Sequence, residues 1–290
     1  MTIDDLKRMP PRTWLFVPAL RAPEWIPKAT ASGADAIVVD LEDATAPSEK
    51  DRAREVVRGL ALLARERPAI VVRVNSSPPE LDGDIAAAVM AGADGIILPK
   101  VHGPWQVRRA AMFLEEAEKG GRRLAILPMI ESARAVLRAL DIADADARVA
   151  SLMFGGGDLS ATVGWLRTPE GGELAVARAL VVLAASASGI GAVDTPWLDI
   201  KDTAGAREEA RLVRDMGFTG KFAIHPSHVH AIHEAFAPSD DEVADARGLL
   251  EAFERGVSAG TGVTTYKGRM IDKPDALQAE RILARVDQRE

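Results

Sequence analysis

Two short runs, Ala36-Ile37-Val38-Val39-Asp40-Leu41 and Ala69-Ile70-Val71-Val72-Arg73-Val74, carry the pattern that decides the fold. Each is rich in β-branched residues and apolar along its length instead of alternating, as a strand buried on both faces requires. Working outward, the same texture recurs at Trp14 to Val17, Gly95 to Leu98, Leu124 to Ile130, Val149 to Phe154, Gly191 to Asp194 and Phe222 to Ile224. Between these runs lie amphipathic, Ala/Arg/Glu-rich stretches of helical character, among them Ser48 to Glu66, Gln106 to Lys119 and Leu174 to Ser188. Gly33, Gly92, Gly120 and Gly217 stand where such helices end and a left-handed cap is wanted. Eight β-then-α units in roughly 235 residues predict an α/β protein of the TIM (β/α)8 barrel class. An open doubly wound sheet would usually carry a phosphate fingerprint after its first strand, where this chain reads Val17-Pro18-Ala19-Leu20-Arg21.

The barrel is expected to occupy residues 1–237 and to be the catalytic domain. Beyond it, Pro238 to Asp241 is a polar break and Glu242 to Arg255 reads as a helix. Gly256 to Gly262 is small and flexible, and Thr264 to Pro274 is turn-rich before a last helix. Residues 238–290 are too short to expect an independent core, which predicts a C-terminal helical extension serving as lid or oligomerisation element. The 290 residues are 47% hydrophobic and 27% charged, the balance of a globular protein. No apolar run reaches the roughly 20 residues of a membrane-spanning helix. The polar opening Met1 to Thr13 offers no secretion signal, so a cytoplasmic protein with no membrane partner is expected. A formal charge of −7 speaks against nucleic acid as a partner. With no cysteine, disulfides, thiolate metal sites and cysteine nucleophiles are all excluded.

In a barrel, chemistry belongs where strands end and the following loops begin. The second run leads into Asp40, Glu42 and Asp43, the third carries Arg73 and leads to Asn75, the fourth ends at Lys100 and the fifth at Glu131. Asp158 follows the sixth through Gly155-Gly156-Gly157, Asp194 closes the seventh, and His225-Pro226 closes the eighth. Several of these have plain structural readings. Asp158, before Leu159 and Ser160, suits a helix N-cap as well as a ligand. Arg73 needs a buried anion, supplied by an internal carboxylate or by a carboxylated substrate. Glu131 is harder to excuse, because glutamate caps poorly and Leu127-Pro128-Met129-Ile130 before it is buried strand. Convergent carboxylates with an arginine suggest a hard cation of the Mg²⁺ kind and an oxygen-rich anionic ligand. His228, His230 and His233 do not share a helix face, which argues against zinc there. The glycine run lacks the Gly-Lys-Ser/Thr of a phosphate cradle and reads instead as a tight loop that lets Asp158 approach a ligand. Lys100 is open to two roles, a Schiff-base amine or a binder of substrate phosphate or carboxylate.

An ordered set of motifs begins with Arg12-Thr13-Trp14-Leu15-Phe16-Val17-Pro18, Gly33-Ala34-Asp35-Ala36 and Asp40-Leu41-Glu42-Asp43-Ala44. Val72-Arg73-Val74-Asn75, Leu98-Pro99-Lys100, Ile130-Glu131-Ser132-Ala133 and Gly157-Asp158-Leu159 follow. Gly217 to Lys221, Ile224-His225-Pro226 and Gly268-Arg269-Met270-Ile271-Asp272 complete the set, which spans nearly the whole chain. Taken in order, these motifs resemble the citrate lyase β-subunit-like branch of the HpcH/HpaI aldolase superfamily, with malyl-CoA and citramalyl-CoA lyases as close relatives. The resemblance implies a Mg²⁺-dependent barrel that makes or breaks a carbon–carbon bond beside a CoA thioester. It implies that Glu131 and Asp158 hold the metal, and that Arg73 contacts a 2-oxo acid. Glu42 and Asp43 would support the metal's waters and the arginines, and Asp272 would be delivered from a neighbouring subunit of a trimer or hexamer. Arg12, Gly157 and Lys100 are expected among the substrate-binding residues. Ala19 and Lys273 replace glycines common in the family, which puts the fit of CoA in question. Asp43 stands where the pyruvate-aldolase branch carries a histidine base, which counts against a CoA-independent aldolase. A subunit acting on an acyl-carrier partner is the third reading.

Overall fold

The computed structural model describes residues 1–62 and 68–286. Eight parallel strands close into a barrel: β1 (Thr13–Pro18), β2 (Ala36–Asp40), β3 (Ala69–Arg73), β4 (Gly95–Leu98), β5 (Ala125–Ile130), β6 (Ser151–Phe154), β7 (Gly191–Asp194) and β8 (Gly220–Ala223). Each pairs with its sequence neighbour, and β1 closes on β8 through Thr13↔Lys221, Trp14↔Phe222 and Leu15↔Ala223. The expected TIM barrel is therefore the observed fold, with β8 beginning two residues earlier than the apolar run because Gly220 and Lys221 still pair.

The barrel interior is filled by alternate residues of the strands, as the pleat demands. Trp14, Ala36, Val38, Ala69, Val71, Ile97, Ala125, Leu127, Met129, Met153, Val193 and Phe222 belong to one buried cluster. Residues of opposite parity, such as Ile37, Val39, Ile70 and Val72, are equally buried beneath the outer helices. Both faces being covered explains the unbroken apolar runs.

The helices Pro104–Glu118 and Ala175–Ala187 lie close to their expected bounds. The expected helix Ser48 to Glu66 begins as a 3-10 turn, Pro47–Glu49, and continues as Lys50–Arg58; its expected end lies outside the described residues. Gly33, Gly92, Gly120 and Gly217 all have positive φ, between 77° and 104°, the conformation that a left-handed cap requires.

The chain divides into two compact units, Met1–His233 and Glu234–Glu290. In the second, Ser239 and Glu242 form a capping box that starts the helix Asp240–Ser258. An antiparallel hairpin, β9 (Thr264–Tyr266) with β10 (Arg269–Ile271), and a helix Lys273–Ala284 follow. Two expectations are corrected here. Gly256 is buried within the helix, not part of a flexible joint, because an added Cβ would meet Thr264 at 3.0 Å. The segment also has a small core of its own, in which Ala246, Leu249, Ala252, Ile271 and Ala279 are buried with Phe253, Tyr266 and Ile282 packed on them.

Candidate active site

The residues at the barrel mouth follow from the parity of the interior. Ala36 and Val38 point inward, so the next residue in phase is Asp40; Ala69 and Val71 lead in the same way to Arg73, and Ala125, Leu127 and Met129 to Glu131. One step beyond the apolar layers, three charged side chains are thus aimed into the mouth. Asp40 and Arg73 are register partners across β2 and β3.

Arg73 is nearly buried and makes a two-pronged contact with Asp40, Nε donating to Oδ1 at 2.8 Å and Nη2 to Oδ2 at 2.6 Å. Its Nη1 lies 3.1 Å from Glu42 and 3.7 Å from Asp43, and its guanidinium stacks 4.9 Å from the Phe16 ring centroid. Burial opposes the charge, but Asp40 outweighs it and holds Arg73 fully protonated. The internal-carboxylate alternative for Arg73 is therefore realised, and its fork is not free for a bidentate substrate contact. Asp40 also accepts from the backbone N–H groups of Glu42 and Ala44, which fixes the turn carrying Glu42 and Asp43.

Glu42 is buried, and burial is the main cause raising its carboxyl above the usual range. Lys100 Nζ sits 2.5 Å from Glu42 Oε1 and 3.8 Å from Asp43. The hydrogen bond to Glu42 raises the Lys100 pKa, so the side chain is an ammonium, which disfavours the Schiff-base role. The backbone of Lys100 matters as much. It has φ of +53°, with Gln106 Nε2 donating to its carbonyl at 2.9 Å, and its N–H donates to Glu131 Oε1 at 2.5 Å. Strain of this kind at a non-glycine residue is characteristic of functional sites.

Glu131 is buried, and that burial pushes its carboxyl up to about 7, with Lys100 N–H opposing and the charges of Asp158 and Glu42 adding to the rise. Ile130 pairs with Phe154, so Gly155 sits across from Glu131. A Cβ on Gly155 would lie 2.5 Å from Glu131 Cβ and 2.7 Å from Oε2, so only glycine leaves room for the carboxylate. The glycine run is thus corrected from a loop to the entry of the helix Gly156–Val163, whose N-cap is Gly155. Asp158 lies in the first turn of that helix, exposed, and makes no capping hydrogen bond. Among the described residues neither Glu131 nor Asp158 has a cation within ion-pairing distance.

A cavity of about 510 Å³ is lined by Asp40, Asp43, Arg73, Gly155, Gly157 and Asp158, with Phe16, Trp25, Met129, Phe154, Leu198 and Ile224 as its apolar wall; Glu131 is not itself a lining residue but packs against the lining Gly155. Five carboxylates, Asp40, Glu42, Asp43, Glu131 and Asp158, face two cations, Arg73 and Lys100. The surplus rests on Glu131 and Asp158, a hard-oxygen donor pair that fits a divalent cation such as Mg²⁺ with water or substrate completing its sphere.

Some expected residues lie elsewhere. Arg12 precedes β1, at the opposite end of the barrel from the cavity, and its Nε and Nη2 donate to Asp35 at 3.0 and 3.2 Å, so it is a structural residue and not a substrate contact. Asn75 is tied to Asp84 and to the Leu41 carbonyl. Asp194 turns away from the mouth towards Arg178 and Lys221. His233 bridges Thr13 and Asp35, and His228 is buried on the helix Ser227–Phe236. Asp272 belongs to the C-terminal unit, where it starts the helix Lys273–Ala284 and its N–H donates to Asp275 at 3.0 Å. Sequence reasoning missed the Lys100 N–H, the reason for Gly155, and Arg167, which lines the cavity from a loop with no strand signal.

The HpcH/HpaI aldolase/citrate lyase family model matches residues 12–226. The citrate lyase subunit beta of Leuconostoc mesenteroides subsp. cremoris is 35% identical over 278 residues, covering 94% of this chain and 92% of that protein. The L-malyl-CoA/beta-methylmalyl-CoA lyase of Cereibacter sphaeroides is 33% identical over 303 residues, covering 96% and 95%. Among solved structures, CitE of Mycobacterium tuberculosis in complex with magnesium, acetoacetate and coenzyme A superimposes with a TM-score of 0.82 at 34% identity, covering 97% of this chain and 100% of that one.

Proposed function

Because this chain belongs to the HpcH/HpaI aldolase/citrate lyase family, a family of CoA-ester lyases, we propose that it is a Mg²⁺-dependent carbon–carbon lyase. Its substrate is a 3-hydroxyacyl-CoA of the malyl- or citramalyl-CoA kind, cleaved to acetyl-CoA and a 2-oxo acid or formed from them. The observation that carries this reading is the pair Glu131 and Asp158, two carboxylates with no cationic partner among the described residues, of which Asp158 lines one cavity with a fully charged Arg73 while Glu131 feels the charges of both.

Cleavage removes the hydroxyl proton, turns C–OH into C=O, breaks the adjacent C–C bond and leaves its electron pair on the carbon next to the thioester. Glu131 and Asp158 would hold Mg²⁺, which when bound supplies Lewis-acid polarisation of the reacting oxygens. Arg73, locked by Asp40 against Phe16, presents a preorganised positive charge to the oxygen that becomes the ketone, without reorganising during the reaction. Glu42 and Asp43 hold the remaining edge of Arg73 and the Lys100 ammonium, which together offset the negative charge of the acid. Gly157 leaves the cavity floor open to the ligand. Asp272, half-buried at a helix start, is assigned the proton given to the thioester carbon, from a neighbouring copy of the chain.

A homo-oligomer, trimer or hexamer, is supported by the helix Ala175–Ala187. Its one charge, Arg178, is buried, whereas Val176 is 72% and Leu183 65% exposed. This helix packs beside Ala139–Ala143, where Leu140 is exposed, and near Leu137, which is 80% exposed. An apolar face of this kind is suited to burial against a second copy. The citrate lyase β relatives favour a second reading, in which the thioester is carried by an acyl-carrier partner.

The deciding experiment is release of a 2-oxo acid from a panel of 3-hydroxyacyl-CoA thioesters by the purified full chain, with Mg²⁺ and with EDTA. Mg²⁺-dependent release is the expected result. Turnover that survives chelation sinks the metal reading, and turnover only on carrier-bound thioesters selects the second one. In the same assay, mixed oligomers of Asp272→Asn and Glu131→Gln should regain activity that each lacks alone; mixed oligomers that stay inactive overturn the shared site.

A further inference from the structure

Lys100 holds a left-handed backbone, φ +53°, that lysine ordinarily avoids, and the same residue gives its N–H to Glu131 Oε1. Relaxation to negative φ would rotate the Lys100 peptide plane, and with it the N–H aimed at the carboxylate, so the conformation must be held from outside. Gln106 holds it. This residue is half-buried in the first turn of the helix Pro104–Glu118. Its Nε2 donates to the Lys100 carbonyl at 2.9 Å, and its Oε1 accepts from the His102 N–H at 2.6 Å. Both ends of one amide are thus spent on one turn, and only this orientation of the amide serves a donor and an acceptor at once.

A glutamine at the third position of a helix has an ordinary role, which is to reach back and satisfy a backbone N–H before the first turn. That role needs Oε1 alone. The Nε2 contact goes two residues further back, to the carbonyl of the strained residue itself, and caps nothing. The turn is also tied to the neighbouring strand end. His102 Nδ1 lies 3.1 Å from the Oγ of Ser132, the residue after Glu131, and Val101 is fully buried between Lys100 and His102.

Resting on the lyase reading above, in which Glu131 holds the metal, we propose that Gln106 is a positioning residue for that carboxylate. Its amide keeps Lys100 left-handed, so that the Lys100 N–H orients Glu131 through Oε1 and leaves Oε2 for the cation. Gln106 is not among the residues that line the cavity, so it acts through Lys100 and not by contact with a ligand. Groups that orient a metal-holding side chain in this way change metal affinity by about ten- to a hundredfold when removed.

Mg²⁺ is titrated calorimetrically into the full chain and into Gln106→Met and Gln106→Glu. Gln106→Met removes both contacts at similar length, whereas Gln106→Glu keeps the acceptor for His102 and loses the donor to Lys100. Both should bind Mg²⁺ about tenfold more weakly than wild type. An added carboxylate by itself favours a divalent cation, so a loss in Gln106→Glu cannot come from its charge. The decisive arm uses Lys100→Gly, because glycine takes positive φ without help. On that background Gln106→Met should change Mg²⁺ affinity by no more than about twofold. In the metal-free proteins, deuterium exchange at the Lys100 amide should be about tenfold faster in Gln106→Met than in wild type. Wild-type Mg²⁺ affinity in Gln106→Met overturns the proposal, as does an unchanged Lys100 exchange rate or an equal loss on the Lys100→Gly background. Mg²⁺ binding by wild type that Glu131→Gln abolishes leaves the lyase reading standing in those cases, whereas a wild-type chain that binds no Mg²⁺ overturns both.

Discussion

Two clusters of charged residues sit at strand ends in this barrel, and they have opposite fates. At the mouth, Asp40, Arg73 and Glu131 continue the inward-facing series of β2, β3 and β5. On the far side, Val193 and Phe222 face inward, so their neighbours Asp194 and Lys221 face the outer helices. There Lys221 Nζ contacts Asp194 at 2.6 Å, Glu209 at 2.7 Å and the Thr195 carbonyl at 2.6 Å. Arg178 takes both Asp194 oxygens, at 2.9 and 3.0 Å, and Glu209 at 2.6 Å. This outer cluster has two acids and two bases, all buried, and each acid is ion-paired with both bases. The mouth cluster has more acids than bases and leaves two carboxylates, Glu131 and Asp158, without a cation in ion-pairing distance among the described residues. A shift of one residue along a strand therefore separates a structural ion cluster from a cluster at the barrel mouth, because the pleat turns the side chain through the sheet.

The largest effect should come from breaking the mouth. Glu131→Gln should lower turnover by about a thousandfold or more, since it removes one of the two carboxylates proposed to hold the metal. The same change should leave stability equal or slightly higher, because burial and the nearby Asp158 already disfavour the charged carboxylate. Calorimetric Mg²⁺ titration and urea denaturation check the two halves of this expectation. Unchanged Mg²⁺ affinity would remove Glu131 from the metal site.

The outer cluster should respond in the reverse sense. Asp194→Asn or Lys221→Met leaves a buried partner charge uncompensated, at a cost of about 3–5 kcal/mol in unfolding free energy. Activity per folded molecule should stay near wild type when assayed below the shifted melting point. A Lys221→Met protein as stable as wild type but catalytically dead would mean that the two clusters have been assigned the wrong way round.

Much of this division was legible in the residues. The eight apolar runs, the cap glycines and the strand-end positions of Glu42, Asp43, Arg73, Lys100, Glu131 and Asp158 were all readable, because burial on two faces and strand-to-loop transitions leave compositional marks. What could not be read were contacts made by backbone or by space. The Lys100 N–H on Glu131 depends on a left-handed φ that a lysine does not advertise, and the need for Gly155 depends on which residue lies across the sheet. Arg12 was misplaced for a related reason: its motif adjoins β1, but it precedes the strand and so belongs to the other end of the barrel. Arg167 sits in a loop whose approach to the mouth is set by tertiary folding alone.

The smallest expected effect concerns that other end, and it serves as a control on the comparison. Asp35 accepts from the Arg12 backbone N–H at 2.9 Å and from its guanidinium, and lies 3.2 Å from His233. Burial would raise the Asp35 carboxyl, but the hydrogen bonds from His233 and Arg12 outweigh it and hold the group well below the usual carboxylate range. A carboxyl whose pKa is depressed on folding stabilises the folded state above its unfolded value of 3.8, and that stabilisation is lost as the pH falls through the folded value. Asp35→Asn should therefore cost about 1–2 kcal/mol at neutral pH, the scale of a partly exposed charged hydrogen-bond pair. The difference from wild type should shrink steadily below about pH 4, where the wild-type carboxylate begins to gain its proton on unfolding. Turnover at neutral pH should be unaffected, because Asp35 lies before β2, at the end of the barrel away from the cavity. Urea denaturation of both proteins across the acid range, with a parallel activity measurement, tests this directly. A constant stability difference down to low pH would show that Asp35 contributes through packing and not through its charge, and a loss of turnover would bring the Arg12 end of the barrel back into the active site.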